Sequence, residues 1–131
     1  MAEKILLADD DPDVIEVISI LLEDEGYDLI TAGDGAEALE KIKLESPDLI
    51  VLDLLMPLVD GFGVFNALRE PGYEPWSGIP IIILTSVREE VSNRRYELET
   101  GHRMDYAAYL EKPADPDELL ETVSSLLGGR D

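Results

Sequence analysis

The chain has 131 residues, 45% of them hydrophobic and 31% charged, which is typical of one folded domain and excludes a disordered segment. Thirty acidic residues against ten basic ones give a net charge of -20, so we expect no direct binding to nucleic acid or to anionic membranes. There is no cysteine, which excludes disulfides and thiolate sites, and no apolar run approaches the roughly 20 residues of a membrane span, so we expect a cytoplasmic protein.

Short apolar runs alternate with segments of helical periodicity along the whole chain. The predicted strands, in chain order, are residues 5–8, 27–32, 49–52, 79–84 and 107–110. The predicted helices are residues 14–26, 36–46, 62–70, 88–100 and 115–127. In the second helix, Ala36, Leu39 and Ile42 mark the expected inner stripe. Residues 71–78 are expected to form a loop that places Trp76 at the end of the sheet opposite to any site.

This alternation predicts an α/β fold, a single doubly wound sheet of five parallel strands with five helices. The strands are apolar throughout, as expected when helices cover both faces of the sheet. Ligands of such sheets bind beyond the carboxyl ends of the strands. The residues directly after each strand are therefore the first candidates for a functional site.

Acidic side chains follow two of the predicted strands. Asp9 and Asp10 come directly after the first strand, and Asp53 comes after the third. Two such charges about 5 Å apart repel by about 3 kcal/mol at an effective dielectric near 20, and a hard cation such as Mg²⁺ would relieve that repulsion. Thr85 and Lys112, after the fourth and fifth strands, add a hydroxyl and a cation suited to phosphoryl oxygens.

Each of these residues also has a purely structural interpretation. Asp9 and Asp10 would interact favourably with the dipole of the first helix. Asp53 could lie in a turn, and Lys112 could be solvated. The four residue types together, each at a strand end, favour the functional interpretation.

Four segments at the strand ends resemble the motifs of receiver domains in two-component response regulators. In chain order they are ILLADDDP at 5–12, LDLLMPLVDG at 52–61, ILTS at 83–86 and YLEKP at 109–113. They stand in the order of that family and span essentially the whole chain. The resemblance implies one receiver domain over residues 1–131, with the flavodoxin-like strand order 2-1-3-4-5 and no output domain in this chain.

The same resemblance implies a role for each site residue. Asp53 would be the phosphoacceptor, and Thr85 and Lys112 would bind the phosphoryl oxygens. The expected ligands of a Mg²⁺ ion are Asp9, acting mainly through a bound water, Asp10, Asp53 and the backbone carbonyl of Leu55. Tyr109 resembles the switch aromatic of the family, which turns inward when Thr85 moves toward the phosphate.

The resemblance further implies partners. A sensor histidine kinase or a phosphotransfer protein would donate the phosphoryl group. A downstream effector protein or a fused output domain would read the surface formed by the fourth helix, the fifth strand and the fifth helix, and phosphorylation could produce a homodimer. The domain would be a signalling module, not an enzyme in the usual sense, although it promotes its own phosphorylation and dephosphorylation.

Three other functions use a similar topology or similar chemistry. A pseudo-receiver would use this fold as a phosphorylation-independent protein-binding module, although every charged group needed for phosphorylation is present here. A magnesium phosphatase with an aspartate nucleophile would carry a second acid two residues further on, where this chain has Leu55. A flavodoxin-like cofactor carrier would offer hydroxyls and backbone amides to a phosphate, which Asp9, Asp10 and Asp11 would repel.

The chain departs from the family pattern between Thr85 and Tyr109, an interval about one helical turn longer than usual. The arginines in or beside this interval are Arg88, Arg94, Arg95 and Arg103. They would either form a docking patch for an acidic partner or pair locally with Glu89, Glu90, Glu97 and Glu99.

Two apolar side chains predict a long-lived phosphoryl group. Leu55 and Val87 stand two positions after Asp53 and Thr85, and neither can hold an attacking water.

Overall fold

The computed structural model describes residues 2–128, and in this part of the chain five strands form one parallel sheet. The strands are β1 Lys4–Ala8, β2 Asp28–Ala32, β3 Leu49–Leu52, β4 Ile81–Thr85 and β5 Ala108–Glu111. Their order is β2-β1-β3-β4-β5, so the path of the chain across the sheet reverses between β1 and β3. The predicted fold class and strand order are confirmed, and the reversal places a crevice at the carboxyl ends of β1 and β3.

Five α-helices connect the strands or follow them. They are α1 Pro12–Asp24, α2 Gly35–Glu45, α3 Gly61–Leu68, α4 Glu89–Thr100 and α5 Pro116–Leu126. Four of them begin after an aspartate whose side chain accepts a backbone N–H of the first turn: Asp11, Asp34, Asp60 and Asp115. Helix α4 follows Arg88, which makes no such side-chain bond. Part of the chain's acidity therefore serves to start helices.

The sheet separates two layers of core. Along β1, Leu6 and Ala8 pack toward α2, α3 and α4, whereas Ile5 and Leu7 pack toward α1 and α5. This alternation explains why the strands are apolar at every position.

The structure corrects two details of the prediction. Residues Pro71–Trp76 form a 3₁₀ helix within the predicted loop, with Tyr73 N–H donating to the Glu70 carbonyl at 2.9 Å. Strand β4 starts at Ile81 instead of Ile79, after a proline that has no N–H to give to a ladder. Trp76 lies where it was predicted, since its indole N–H donates to the Ser46 hydroxyl, 3.0 Å away, beyond the end of α2.

The predicted inner stripe of α2 is wrong by one position at its start. Ala36 is exposed, and the buried residues of the helix are Gly35, Ala38 and Ile42. Small residues carry little hydrophobic signal, so their pattern does not fix the rotation of the helix.

Within residues 2–128, none of the helices has both the length and the apolar surface needed to span a membrane.

Candidate functional site

The predicted acidic residues meet beyond the carboxyl ends of β1 and β3. Asp9 N–H donates to the Ala32 carbonyl and Asp53 N–H to the Ala8 carbonyl, both at 3.0 Å, so each residue is held at its strand end by the sheet itself. One carboxylate oxygen from each of Asp9, Asp10 and Asp53 lies within 4.8 Å of the other two. Asp9 and Asp53 are buried and Asp10 is exposed, so the cluster opens to solvent on one side.

Lys112 reaches into this cluster from the end of β5. Its ammonium nitrogen lies 2.7 Å from Asp9 Oδ2 and 3.1 Å from Asp53 Oδ2. Its backbone N–H donates to the Thr85 carbonyl at 2.8 Å, which anchors the residue against β4. One cation thus bridges the two buried carboxylates.

Burial and charge act in opposite directions on the pKa values here. Burial raises the pKa of the Asp9 carboxyl, assisted by the Asp53 charge, and the hydrogen bonds from Lys112 and the Asp11 N–H only partly oppose it. Burial alone would lower the pKa of the Lys112 ammonium, but its bonds to Asp9 and Asp53 outweigh that effect and raise it above its ordinary value. Lys112 is therefore a permanent cation at neutral pH.

Thr85 closes the inner end of the site. It is fully buried at the end of β4, and its hydroxyl has no hydrogen-bond partner among the described residues. A buried hydroxyl without a partner is unfavourable, so this atom is available to an oxygen that enters the site.

The cluster has the chemistry of a hard-cation site. Its donors are carboxylate oxygens, the ligands that Mg²⁺ prefers. A single ammonium group offsets only part of the charge of three carboxylates, so a divalent cation fits the remaining charge. Asp9, Asp10 and Asp53 are the side chains that could hold it.

Tyr109 faces the fourth helix from β5. Its hydroxyl donates to the Val87 carbonyl and lies 2.7 Å from the Ser92 hydroxyl. This partly buried side chain is packed against the core layer of α2, α3 and α4. The side chain is thus already linked to the loop after Thr85.

The sequence analysis missed a second tyrosine beside it. The Tyr106 hydroxyl contacts the Glu89 carboxylate and accepts a hydrogen bond from Asn93 Nδ2 at 2.9 Å. The rings of Tyr106 and Tyr109 meet edge to face at 5.4 Å. No motif marks Tyr106, Glu89 or Asn93, and only the approach of α4 to β5 brings them together.

Some of the arginines near α4 pair locally with acidic residues, and others remain available for the predicted docking patch. Arg88 pairs with Glu90 at 2.7 Å, and Arg95 lies 3.3 Å from Glu99 and 3.5 Å from Asp60. Arg94 and Arg103 form no ion pair with the residues that the structure describes. Local pairing therefore accounts for two of the four.

Comparison with known proteins identifies a family for most of the chain. Residues 5–124 match the family model described as "Response regulator receiver domain". The chain is 42% identical over 125 residues to a probable transcriptional regulator, ycf27, of Porphyridium aerugineum, covering 95% of this chain and 48% of that protein. It is 38% identical over 127 residues to the alkaline phosphatase synthesis transcriptional regulatory protein PhoP of Bacillus subtilis, covering 97% and 49%. The chain therefore spans about half the length of these relatives.

A solved structure shares the fold of this chain over nearly its whole length. The receiver domain of a sensor histidine kinase from Pseudomonas aeruginosa superposes with a TM-score of 0.83 at 27% identity, covering 98% of this chain and 99% of that one. The crystal structure of that protein holds a magnesium ion in its active-site cleft.

Proposed function

Because the chain belongs to the response regulator receiver domain family, we propose that it accepts a phosphoryl group on Asp53 and thereby switches a signalling surface. The observation that carries the proposal is the Asp53 carboxylate itself. It is buried at the end of β3, 3.1 Å from the Lys112 ammonium, and is grouped with Asp9 and Asp10 in a set of oxygen ligands. These are the groups that an in-line phosphoryl transfer needs.

Asp53 acts as the nucleophile in this proposal. A bond forms between its carboxylate oxygen and the phosphorus, while the bond from phosphorus to the donor imidazole nitrogen breaks and the imidazole keeps that electron pair. Asp9 (mainly through a bound water), Asp10, Asp53 and the Leu55 carbonyl would hold a Mg²⁺ ion, which would supply charge neutralisation at the phosphoryl oxygens. The protein contributes mainly position and charge, so few covalent steps fall to it.

Lys112 and Thr85 hold the transferred group. The Lys112 ammonium would exchange part of its contact with the Asp53 carboxylate for a phosphoryl oxygen. The Thr85 hydroxyl, unpartnered among the described residues, would donate to another phosphoryl oxygen. A shift of Thr85 toward that oxygen would pull on the loop whose Val87 carbonyl accepts the Tyr109 hydroxyl. Tyr109 is therefore the proposed switch residue between the site and α4.

The partners follow from the family. A sensor histidine kinase or a phosphotransfer protein donates the group, in the cytoplasm. A separate effector or a fused output domain reads α4, β5 and α5, and phosphorylation would favour a homodimer. The matching regulators are about twice as long as this chain, so the DNA binding named for one of them is not assigned to residues 1–131, for which we propose only the receiver role.

Intact mass after incubation with acetyl phosphate and MgCl₂ tests the proposal. We expect one phosphoryl adduct that requires Mg²⁺ and is absent from Asp53→Asn. Asp28→Asn, an exposed aspartate at the start of β2, is the matched control and should be labelled like the wild type. Unlabelled wild-type protein would instead indicate a pseudo-receiver, and labelling of Asp53→Asn would move the phosphoacceptor elsewhere.

A further inference from the structure

The first turn of α2 touches the loop that carries the site. Gly35 is buried, and a β-carbon at this position would lie 1.9 Å from the Val59 carbonyl oxygen and 2.6 Å from its carbon. Both atoms belong to the backbone and cannot turn aside as a side chain could. Any residue other than glycine would therefore push α2 and the loop between β3 and α3 apart.

Hydrogen bonds and an ion pair hold the first turn of α2 to the end of β2. The Asp34 side chain accepts Glu37 N–H at 2.8 Å, and the Glu37 carboxylate accepts Gly33 N–H at 2.7 Å. Glu37 also pairs with Lys41 at 3.0 Å, and the Lys41 ammonium donates to the Thr31 carbonyl at the end of β2. These bonds fix the first turn of α2 to the sheet, so this turn keeps its position where it contacts the loop between β3 and α3.

Two core side chains, Leu54 and Met56, anchor the first part of the loop between β3 and α3, whereas Leu58 beyond them is exposed. Leu58 has a left-handed φ of 65°, and its side chain is 84% exposed. Such a conformation persists in a non-glycine residue only when neighbouring contacts impose it. Near the site, Gly61 N–H donates to the Leu54 carbonyl at 3.0 Å, and a β-carbon on Gly61 would lie 2.4 Å from the Asp53 carbonyl oxygen. Leu55 follows Asp53 and Leu54 in the chain and precedes Val59, so it lies between the contact of the loop with Gly61 and its contact with Gly35.

We propose that Gly35 is a positioning residue for the phosphorylation site. Its missing side chain lets the start of α2 press directly on Val59, and this contact sets where the loop presents Asp53 and the Leu55 carbonyl. The inference rests on the proposed function, because it concerns the same Mg²⁺ site. It adds a residue on a different strand–helix unit, which touches neither the metal nor the phosphoryl group.

The test compares Gly35→Ala with Gly33→Ala. A β-carbon at Gly33 would meet only Glu37 Oε1 at 3.8 Å, so this neighbouring variant is the matched control. The readout is the rise in melting temperature on adding MgCl₂, relative to NaCl at equal ionic strength, over a range of concentrations. We expect Gly35→Ala to bind Mg²⁺ about tenfold more weakly, as for changes behind metal ligands. Gly33→Ala should match the wild type.

Two further measurements separate positioning from general instability. Backbone hydrogen exchange in residues 54–60 should become faster in Gly35→Ala, while exchange in α5 stays unchanged. If Gly35→Ala does not fold, Glu37→Ala loosens the same turn from its exposed side, with Glu45→Ala, an exposed partner of Lys4 on the same helix, as its control. Glu37→Ala should weaken Mg²⁺ binding in the same direction and by less.

The results of these experiments separate the role of Gly35 from the proposed phosphorylation of Asp53. If Gly35→Ala folds and binds Mg²⁺ with wild-type affinity, the positioning role of Gly35 is overturned and the proposed function stands. If Gly35→Ala does not fold, wild-type Mg²⁺ affinity of Glu37→Ala has the same meaning. A wild-type protein with neither Mg²⁺ stabilisation nor a phosphoryl adduct overturns the proposed function.

Discussion

One ammonium group decides the charge balance of the site at the scale of single residues. Lys112 bridges Asp9 and Asp53, which are almost fully buried, while its own side chain is 21% exposed. Its removal would leave two carboxylates facing each other in a region of low dielectric. The bridge thus stabilises the fold when no metal is bound and would give way when a divalent cation or a phosphoryl group arrives.

Lys112→Met should therefore destabilise the metal-free protein by about 2 to 4 kcal/mol, because it leaves buried charge unpaired. The measurement is urea unfolding in EDTA, and added Mg²⁺ should restore part of the loss by replacing the missing cation. Lys4→Met, which removes an exposed pair with Glu45, is the control and should change stability by less than about 1 kcal/mol. An unchanged unfolding midpoint for Lys112→Met would show that the bridge contributes nothing to the fold.

Leu55 stands two positions after Asp53, next to the same site. Its side chain is 47% exposed at the rim and offers no polar group to orient an attacking water. We expect the phosphoryl group on Asp53 to persist for minutes or longer, and Leu55→Gln to shorten its lifetime because an amide can orient water. Decay of the adduct by intact mass measures both lifetimes. A wild-type half-life of seconds would contradict the expectation.

The pair of tyrosines joins two secondary-structure elements. Tyr109 bonds to the loop before α4, and Tyr106 bonds to Glu89 and Asn93 in the first two turns of the helix. Burial and the Glu89 carboxylate both raise the pKa of the Tyr106 hydroxyl, so it stays protonated at physiological pH. Helix α4 has no side-chain cap hydrogen bond at Arg88, so these side-chain bonds tie its first two turns to the segment before β5.

Tyr106→Phe should loosen the start of α4. The loss of its hydrogen bonds should cost about 1 to 2 kcal/mol of stability and speed hydrogen exchange in residues 89–93, while exchange in α1 stays the same. Tyr73→Phe, which keeps the ring beneath the Lys43 ammonium, serves as the control. Unaltered exchange at the start of α4 would mean that the helix is held by packing alone.

An apolar groove between α1 and α5 opens beside the site. It has a volume of about 530 Å³, and its lining includes Val14, Val17, Leu21 and Pro113 together with Lys112. On the proposed function, a phosphohistidine would come within bonding distance of Asp53, and the donor protein would then cover the surface next to Lys112. We expect an apolar ridge of that donor to occupy this groove.

Val17→Asp tests that docking. Val17 is 56% exposed, so the change should leave the fold intact but slow transfer from a histidine kinase by about tenfold or more, because a charge enters an apolar contact. Labelling by acetyl phosphate should be unchanged. Val91→Asp, a valine of 54% exposure on α4, is the matched control. Equal loss of transfer in both variants would indicate a general charge effect.

At the scale of the whole molecule, the net charge of -20 works against the compact state. Four helix caps use aspartates locally, but most acidic residues within 2–128 are exposed, and the sequence has three acidic residues for every basic one. Screening by salt should therefore favour folding.

Raising NaCl from about 0.1 to 1 M shortens the Debye length from about 10 to 3 Å and should raise the melting temperature by several degrees. MgCl₂ at equal ionic strength should give a further rise, which Asp53→Asn reduces because it removes one ligand. A melting temperature that falls with NaCl would contradict the expectation of net self-repulsion.

Sequence patterns among neighbouring residues were enough to predict most of the strands and helices. The apolar runs of β1 and β3 end in acids, aspartates stand before four helices, and these patterns depend only on neighbours in sequence. They failed where small or mixed residues gave no periodic signal, as at Ala36 in α2 and in the 3₁₀ helix at Pro71–Trp76. A helix that contains two prolines and one glycine reads as a loop until its i→i+3 bonds are seen.

The sequence by itself determined the α/β class, the strand order that the family resemblance implies, and the meeting of Asp9, Asp10, Asp53 and Lys112 at one edge of the sheet. It could do so because parallel strands bring their carboxyl ends to one edge of the sheet, whatever the details of packing. Only the tertiary structure decided which atoms bridge, such as Lys112 between two buried acids, and which elements support them, such as Gly35 behind Val59 and Tyr106 beside α4. These contacts join residues far apart in the chain, and their distances depend on how helices settle against the sheet, which no local pattern encodes.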